Sequence, residues 1–588
     1  MKTSFWMTLG LAAVLASAPA SAQQFVDYTM VAAPGSIAVA PGLTIPALVY
    51  NGQLPGPTLY GTVGQTLRVR LVNQLPHMTS LHMHGLKVPH GMDGVIGLSR
   101  PGIAPSQEFT YEIPLTHSGT YWYHPHVEDQ MSSGLYGAII VAPADPTADP
   151  YSDLDHTVIL HDETTAAGGF LGGMMGGTDP GITTHLMNGK TSAGQVPLIV
   201  QPGGKLRLRL VNAAMHTTYA VALDGHTFEV THADGHRVQS VNVPAIPIGP
   251  GERYDAVVTL ANPGTWSLAA ADLANRNLVK VRGIVQYAGS NVPAPSDTFV
   301  PASLASGTLL DYGMLAAYAP IGTLTALPNQ NYNLALAMAV GPSGISFTIN
   351  GQAWPNVTPM ATALGETVQL TFANTMMGGF RHPMHMHGHF MLLAGTAGGN
   401  SAPPVKDTVL IAPFGQAWSV ASVQLLADVP GNWVLHCHDI DHMMMGMMTL
   451  LTYGGDSDGD GLPDAADWDP TSIIPSLALA ESGASFALGG SGSVVVQAPQ
   501  FSIAHLFLGL PATLPRDVPP FGTVFIDLLA PYTLVGAATA GPSMLVDFPY
   551  TVPPVPALSG SRFALQAVAF VPAAPGGLLT RWHPLTIQ

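Results

Sequence analysis

Three stretches of this chain repeat one pattern of apolar and polar positions. They read VGQTLRVRLVN at 63–73, PGGKLRLRLVN at 202–212 and, more loosely, LGETVQLTFAN at 364–374. In each stretch a glycine turn precedes an alternation of apolar and polar residues, which predicts a β-strand with one buried face. Each stretch also follows an Asn-Gly pair, at 51–52, 188–189 and 350–351. We therefore expect one β-rich unit to occur three times.

The copies lie too far apart for a solenoid, whose repeats recur every 20 to 50 residues or so. We predict three related β-sandwich domains, at residues 24–144, 145–292 and 300–454. The Pro-, Ser- and Ala-rich stretch 290–303 fits a linker, and 166–181 is a glycine-rich loop that carries Met174 and Met175. Only 9% of residues are charged, while 64 are glycine and 52 are proline. This composition favours short strands and turns over helices.

An acidic segment follows the third predicted domain. Carboxylates occupy positions 1, 3, 5, 9 and 12 of a loop, and these are Asp456, Asp458, Asp460, Asp464 and Asp467. With Gly461 at position 6, this is the spacing of a calcium loop, although a longer Glu at position 12 would bind better. The segment resembles the aspartate-rich calcium repeats of thrombospondin-type linkers. We predict a calcium-binding linker at 455–470, with a solvated acidic linker as the alternative.

The two ends of the chain carry no catalytic constellation. Residues 1–22 read as a signal peptide, with Lys2, an apolar run at 5–15 and Ala-Ser-Ala before Gln23. The apolar run is too short to span a bilayer, so we expect an exported protein, periplasmic or extracellular. Residues 471–588 predict a small C-terminal β domain of unknown role, and attachment to a surface or matrix partner is the hypothesis for it. The formal charge of −17 argues against nucleic acid and anionic membranes as partners.

The candidate chemistry begins with one residue, Cys437, which is the only cysteine. It lies in the stretch WVLHCHDIDH at 433–442 and has no cysteine to pair with. Histidines flank it on both sides, His442 follows five residues on, and Met447 follows ten residues on. Together with the thiolate, these residues are the ligand set of a trigonal electron-transfer copper. On an extended chain Cys437 points one way and its two neighbours, His436 and His438, point the other way. The neighbours would therefore face a second group across one packed layer, ~10 Å away. The alternative is a lone buried cysteine beside surface histidines.

Histidines recur in four clusters, and three of these use alternate positions of strand-like sequence. The clusters contain His82 and His84; His124 and His126; His382, His385, His387 and His389; and His436 and His438. Two imidazoles on one strand face form half of a chelating site, although a single such pair is more often part of ordinary packing. A zinc site needs only about four ligands. Eight paired imidazoles beside a separate thiolate set predict a cluster of metals between the first and third domains.

These four motifs, in this order and spacing, resemble the three-domain multicopper oxidases, which include laccases, bilirubin oxidases and bacterial copper-tolerance oxidases. The resemblance covers about residues 40–454. It implies an all-β fold of three cupredoxin-like Greek-key β-sandwiches, here followed by the calcium-type loop and the small C-terminal β domain. It also implies four copper ions. The implied type 1 ligands are His382, Cys437, His442 and Met447. The implied type 2 ligands are His82 and His385, and the type 3 ligands are His84, His124, His126, His387, His436 and His438. His389 is not a ligand in the family, and we expect a structural role for it.

The implied reaction is a laccase-like oxidation of phenolic or similar donors, one electron at a time, at the blue copper. Electrons then pass through Cys437 to His436 and His438, and the trinuclear cluster reduces dioxygen to water. Asp93 stands where relatives carry an acid beside the cluster, so we expect it to donate protons; an ordinary Asp-Gly turn is the alternative. Met443 stands where many bacterial relatives carry an acid, which leaves proton delivery on that side open.

Two other functions stay open at this stage. Methionines gather near the blue copper motif, at Met376, Met377, Met384 and 443–445. Thioethers bind Cu(I), so a cuprous or metal-ion oxidase of copper tolerance is one alternative, although methionines also fill core gaps. No long Met- or His-rich insertion is visible, which favours phenols. The non-enzyme alternative is a copper-binding protein or electron carrier, which would need only the four type 1 ligands. Beyond a small reducing substrate and dioxygen, we expect neither nucleic acid nor a transmembrane segment.

Overall fold

The computed structural model describes residues 24–127, 130–164, 182–341 and 344–453, together with the backbones of strands between 477 and 586. The signal peptide, the glycine-rich loop at 166–181 and the calcium-type loop, all predicted from the sequence, lie outside the described residues. Strands dominate what is described, with two short α-helices and four 3-10 turns among them. The prediction of an all-β chain is confirmed. None of the helices that the structure describes is long and apolar enough to cross a membrane.

The first sandwich contains two four-stranded sheets, with strand orders β2-β1-β4-β6 and β3-β8-β7-β5. Its strands are β1 Phe25–Ala40, β2 Leu43–Tyr50, β3 Leu59–Thr62, β4 Thr66–Asn73, β5 His82–His84, β6 Glu108–Pro114, β7 Gly119–His124 and β8 Gly137–Ala142. The two histidine pairs of this sandwich lie at β5 and at the end of β7, which are adjacent antiparallel strands with His82 opposite His124.

The second sandwich contains a six-stranded sheet, β10-β9-β12-β17-β14-β15, and a five-stranded sheet, β11-β19-β18-β13-β16. Its strands are β9 Leu154–Thr164, β10 Ile182–Met187, β11 Leu198–Val200, β12 Lys205–Asn212, β13 Tyr219–Leu223, β14 Phe228–Ala233, β15 His236–Val243, β16 Ile246–Ile248, β17 Arg253–Thr259, β18 Thr265–Asp272 and β19 Asn275–Tyr287. None of the predicted copper ligands lies in this sandwich.

The third sandwich repeats that plan, with sheets β21-β20-β23-β28-β25-β26 and β22-β30-β29-β24-β27. Its strands are β20 Gln330–Gly341, β21 Gly344–Ile349, β22 Met360–Thr362, β23 Thr367–Asn374, β24 His382–Met386, β25 Met391–Leu393, β26 Val405–Lys406, β27 Thr408–Ile411, β28 Val420–Leu426, β29 Asn432–Cys437 and β30 Met448–Tyr453. The helices are α1 Ala302–Ala305 and α2 Ile440–Met444, and the 3-10 turns are His90–Met92, Pro146–Ala148, Ser192–Gly194 and Tyr312–Met314.

The repeated sequence pattern occupies the same place in each sandwich. Strands β4, β12 and β23 each pair in parallel with the first strand of their sandwich and antiparallel with a later one. Each ends in an asparagine whose side-chain amide donates to two loop carbonyl oxygens at 2.8 or 2.9 Å. The asparagines are Asn73, Asn212 and Asn374. In each case one acceptor lies in the turn that follows the repeated strand and the other lies 30 to 38 residues further along, so the asparagine joins the two segments.

The sequence predicts that the repeated strand has one buried and one exposed face. This prediction is correct for β4 but wrong for β12. In β4 Leu67, Val69 and Leu71 are fully buried, while Arg68 and Arg70 reach solvent and pair with glutamates of β6. In β12 the corresponding Arg207 and Arg209 are only 3% and 7% exposed. Aspartates pair with both buried arginines, because a buried charge without a partner would be strongly unfavourable.

Ten strands are described beyond residue 476, which agrees with the predicted β character of the C-terminal part. They are β31 Leu477–Leu479, β32 Ser491–Gln497, β33 Ile503–Gly509, β34 Pro511–Val518, β35 Gly522–Ile526, β36 Thr533–Thr539, β37 Leu545–Thr551, β38 Arg562–Phe570, β39 Gly577–Leu579 and β40 His583–Thr586. The exact domain limits stay predictions.

Candidate metal centre

Strand β29 separates two groups of candidate ligands. It lies between β24 and β30 in the five-stranded sheet of the third sandwich. In its register with β24, Cys437 lies opposite Met384 and His436 lies opposite His385. Because alternate residues of a strand point to opposite faces, Cys437 and His436 serve different sides of the same sheet.

Cys437 meets two imidazoles on its side of the sheet. Its Sγ lies 3.5 Å from Nδ1 of His442 and 3.8 Å from Nδ1 of His382. All three residues are buried, and their candidate ligand atoms lie within 4.8 Å of one another. The structure therefore brings together the one sulfur and two nitrogens that the sequence predicts for a mononuclear site.

The loop after β29 presents the remaining residues of this site. Asp439 caps helix α2, and its carboxylate accepts a hydrogen bond from the backbone N–H of His442 at 3.3 Å. Beyond the turn at Gly446, the backbone N–H of Met447 donates to His442 at 2.9 Å. The N–H of Cys437 donates to the carbonyl of Met447 at 3.0 Å. Met447 is fully buried, and these two bonds join its backbone to both Cys437 and His442.

Burial sets the protonation of this group. It raises the pKa of the Cys437 thiol well above its ordinary value and lowers the pKa of His382 to about 3. The pKa of His442 is also lowered by burial. Both imidazoles are therefore neutral and offer lone pairs, while the thiol holds its proton until a metal displaces it.

Eight imidazoles converge on the opposite side of β29, between the first and third sandwiches. Two pairs stack, with ring centroids 3.9 Å apart for His82 and His387 and 3.7 Å apart for His84 and His385. Two further contacts join the same sandwiches, with ring centroids 5.3 to 5.5 Å apart, for the pairs His126 with His436 and His124 with His438. The predicted cluster of paired imidazoles is present in the fold.

Backbone carbonyls fix the orientation of four of these rings. The Nδ1 atoms lie 2.9 or 3.0 Å from carbonyl oxygens in His82, His124, His385 and His436. A carbonyl oxygen only accepts, so each Nδ1 carries the hydrogen and each Nε2 keeps a lone pair. The Nε2 atoms of His82, His124 and His385 are buried and have no hydrogen-bond partner among the described residues.

His387 and His436 provide the sharpest test of whether a metal fits. Their Nε2 atoms lie 3.2 Å apart. Nδ1 of His387 donates to the carboxylate of Asp93 at 2.9 Å, and Nδ1 of His436 donates to a carbonyl, so both facing Nε2 atoms carry lone pairs. Burial lowers the pKa of both rings well below the ordinary value. Two lone pairs that face each other need a shared cation, and imidazole nitrogen suits copper.

Two aspartates lie behind the stacked rings. The carboxylate of Asp93 contacts Nδ1 of His387 at 2.9 Å and Nδ1 of His82 at 3.2 Å. Asp407 lies 3.6 Å from Nδ1 of both His84 and His385. Sequence reasoning found Asp93 but missed Asp407, because no motif spacing links a residue 20 positions beyond His387 to the cluster.

His389 lies outside the cluster although it continues the alternate spacing of its motif. Its Nδ1 contacts the carbonyl of His387 at 3.0 Å and its Nε2 contacts the hydroxyl of Tyr453 at 2.6 Å. A second histidine that the motifs do not reveal, His216 of the second sandwich, lies 3.2 Å from the carboxylate of Asp439. Burial would lower the pKa of His216, but the attraction of Asp439 outweighs this and raises it to about 9.

Comparisons with known proteins agree with this geometry. Profiles described as multicopper oxidase match residues 33–146, 149–290 and 326–456. The multicopper oxidase MmcO of Mycobacterium tuberculosis is 32% identical over 479 residues, which cover 76% of this chain and 90% of that protein. Laccase-1 of Botryotinia fuckeliana is 30% identical over 455 residues, which cover 69% of this chain and 78% of that laccase.

Solved structures show the same fold. Fet3p, described as a multicopper oxidase that functions in iron import, superposes with a TM-score of 0.65 at 19% identity, covering 78% of this chain and 94% of Fet3p. The fold and the histidine sites together define a copper-binding oxidoreductase built from β-sandwiches. With the sequence relatives, they show that the chain belongs to the multicopper oxidase family, whose members use dioxygen.

Proposed function

We propose that this protein is a laccase-like multicopper oxidase that oxidises phenolic donors and reduces dioxygen to water. The observation that carries the proposal is the pair of sites on either side of β29. A sulfur and two imidazoles form one site, and eight further imidazoles converge behind them. A carrier of single electrons needs only the first set, so the second set favours the oxidase over the non-enzyme alternative.

The residues divide into ligand sets as the family resemblance implies. We propose His382, Cys437, His442 and Met447 for a type 1 copper. We propose His82 and His385 for the type 2 copper, and His84, His124, His126, His387, His436 and His438 for the type 3 pair. When bound, four copper ions would take electrons one at a time from the donor at the first site and deliver four of them to dioxygen at the second.

The chain itself supplies orientation, connection and enclosure. Carbonyl groups aim the Nε2 atoms of His82 and His385 inward, and burial lowers the pKa of His436 well below its ordinary value. Cys437 is bonded through the backbone to His436 and His438, so the shortest covalent connection between the two sites is one residue long. Asp93 is the proposed proton donor, since its carboxylate touches His82 and His387 at the edge of the cluster.

Phenols and Cu(I) are the two candidate donors. A thioether from Met447 gives the type 1 copper a lower potential than an apolar residue would, which suits easily oxidised phenols. Met377 and Met444 are 76% and 40% exposed, and these accessible thioethers support a cuprous oxidase activity as the second candidate. Turnover of a dimethoxyphenol should exceed turnover of Cu(I), with and without added copper; the reverse ratio would favour the metal-ion oxidase.

One preparation tests the main proposal. Metal analysis of the purified protein should give about four copper ions per chain, together with a blue absorption band and oxygen consumption with a dimethoxyphenol. A copper count near one, without oxygen consumption, would contradict the oxidase and favour an electron carrier.

We also propose export and calcium binding for the segments outside the described residues. Mass analysis of secreted protein should show removal of 1–22. Binding of one calcium ion should require Asp456, Asp458, Asp460, Asp464 and Asp467. Unchanged thermal stability of the C-terminal part in a chelator titration would count against the calcium proposal.

A further inference from the structure

A buried arginine of the second sandwich reaches the cluster of histidines. Arg253, the first residue of β17, is fully buried. Its Nη1 and Nη2 donate to the two carboxylate oxygens of Asp407 at 2.7 and 2.6 Å. Two parallel bonds of this kind fix the plane of the carboxylate as well as its position, which a lysine cannot do.

Asp407 in turn stands directly behind one of the two stacked ring pairs. One of its carboxylate oxygens lies 3.6 Å from Nδ1 of both His84 and His385. Its carbonyl oxygen accepts from Nδ1 of His385 at 2.9 Å. His84 comes from the first sandwich and His385 from the third, so Asp407 supports the junction at which the cluster is assembled.

The guanidinium of Arg253 joins all three sandwiches. Its Nε donates at 3.1 Å to the carbonyl of Thr120, in the strand that ends at His124. A Cβ on Gly85 would lie 2.3 Å from Nη2 of Arg253 and 2.6 Å from Asp407. The residue after His84 therefore has to be a glycine for the first sandwich to approach this ion pair.

A second carboxylate holds the pair from the side of the second sandwich. Asp234 accepts from the backbone N–H groups of Arg253, Asp407 and Thr408 at 3.0, 3.2 and 3.1 Å. Lys406 lies 3.2 Å from the same carboxylate. Burial would raise the pKa of Asp407, but the attraction of Arg253 outweighs it and keeps the pKa below the ordinary range. Asp407 is thus an anion with one allowed orientation.

We propose that Arg253 is a positioning residue of the copper cluster: through its bidentate bond it fixes Asp407, and thereby the His84 and His385 pair. The second sandwich has no predicted ligand. It contributes to the cluster through Arg253, which positions the ligands of the other two sandwiches. The inference rests on the proposed function, because it concerns the cluster that the function requires.

The test compares Arg253→Lys and Arg253→Met with Arg209→Lys. Arg209 is a matched control, since it is also buried in the second sandwich, binds Asp155 through two nitrogens and donates to the hydroxyl of Thr120. Its partners are Asp155 and Asp255. Among the ion pairs of the described residues, neither aspartate contacts any of the eight cluster histidines. Each variant should be purified with copper and examined by copper count, blue absorption and the electron paramagnetic resonance signal of type 2 copper.

We expect both Arg253 variants to keep the blue absorption while their cluster copper binds about 10- to 100-fold more weakly, with an altered or missing type 2 signal. Arg209→Lys should keep all three readouts. A folded Arg253→Met protein with full copper and an unchanged type 2 signal would overturn the proposal, as would an equal loss in Arg209→Lys. If the methionine variant does not fold, Arg253→Lys decides by the same criterion. A wild-type protein without type 2 copper would instead contradict the proposed function.

Discussion

Replacement of Asp93 by asparagine separates two roles that the geometry allows for this carboxylate. Asp93 accepts from Nδ1 of His387 at 2.9 Å, and its other oxygen lies 3.2 Å from Nδ1 of His82. Asparagine keeps one side-chain oxygen that can accept from His387. The hydrogen bond from Nδ1 of His82 to the backbone carbonyl of residue 93, at 2.9 Å, does not involve the side chain. What asparagine removes is the charge and the ability to carry an acidic proton.

The contact between Asp93 and His387 limits how much copper affinity the variant can lose if Asp93 only orients the His387 ring. A hydrogen bond to a charged group contributes about 1.5–3 kcal/mol and a neutral one about 0.5–1.5 kcal/mol. Losing the charge at the His387 contact should therefore cost about 1–2 kcal/mol, or roughly 5- to 30-fold in copper affinity. A lost proton donor should instead slow the chemical step by about 100- to 10,000-fold. The two roles thus predict different magnitudes.

The assay is reoxidation of the fully reduced protein by dioxygen, with the rate divided by the measured cluster copper. We expect Asp93→Asn to keep the blue absorption and to reoxidise at least about 100-fold more slowly per loaded cluster. Asp428→Asn, which changes a carboxylate paired with Lys87 away from the cluster, serves as the control. An Asp93→Asn protein whose loaded clusters reoxidise at the wild-type rate would refute the proton-donor role. Only the role of Asp93 in orienting the imidazole rings would then remain.

Three further predictions follow from the sites. Cys437→Ser should abolish the blue absorption and donor oxidation but retain about three copper ions, because all eight cluster imidazoles remain; loss of all copper would show that the sites are not separate. Met447→Leu should raise the type 1 potential in a redox titration and thereby increase the driving force for phenol oxidation, while an unchanged potential would remove Met447 from the site. His216 should stabilise the fold below its unfolded pKa near 6.5 and lose this contribution as pH rises through about 9. The difference is at most about 3 kcal/mol, seen as a pH-dependent gap in urea midpoint between wild type and His216→Gln; a gap that does not shrink above pH 9 would contradict the assignment.

The candidate ligands could be predicted from the sequence because their spacing is local. Alternate positions on a strand place two imidazoles on one face, so the pairs at His82, His124 and His436 needed no knowledge of the tertiary fold. The same rule fails at His389. Strand β24 ends at Met386, and Gly388, with a φ of +67°, turns the chain over the ring of Trp433. The imidazole of His389 then reaches Tyr453 instead of the cluster.

The supporting residues could not be predicted, because their partners lie far along the chain. Arg253 meets Asp407 across 154 positions, and His216 meets Asp439 across 223. Each contact exists only because the second sandwich packs against the third. Polar alternation in β12 even predicts exposed arginines where the structure buries them. Long-range ion pairs of this kind leave no periodic signal in a sequence.

The register of β29 is the feature on which both sites depend. A slip of one residue against β24 would turn Cys437 toward the cluster and His436 toward the mononuclear site. Exposure to solvent cannot specify this register, since all six residues of β29 are buried. Directional bonds specify it instead. The N–H of His438 donates to the carbonyl of Pro383 in β24 at 2.6 Å, and the N–H of Cys437 donates to the carbonyl of Met447 at 3.0 Å. The bonds that hold the strand in place are therefore also the bonds that aim Cys437 at the proposed mononuclear site and its neighbours at the proposed cluster.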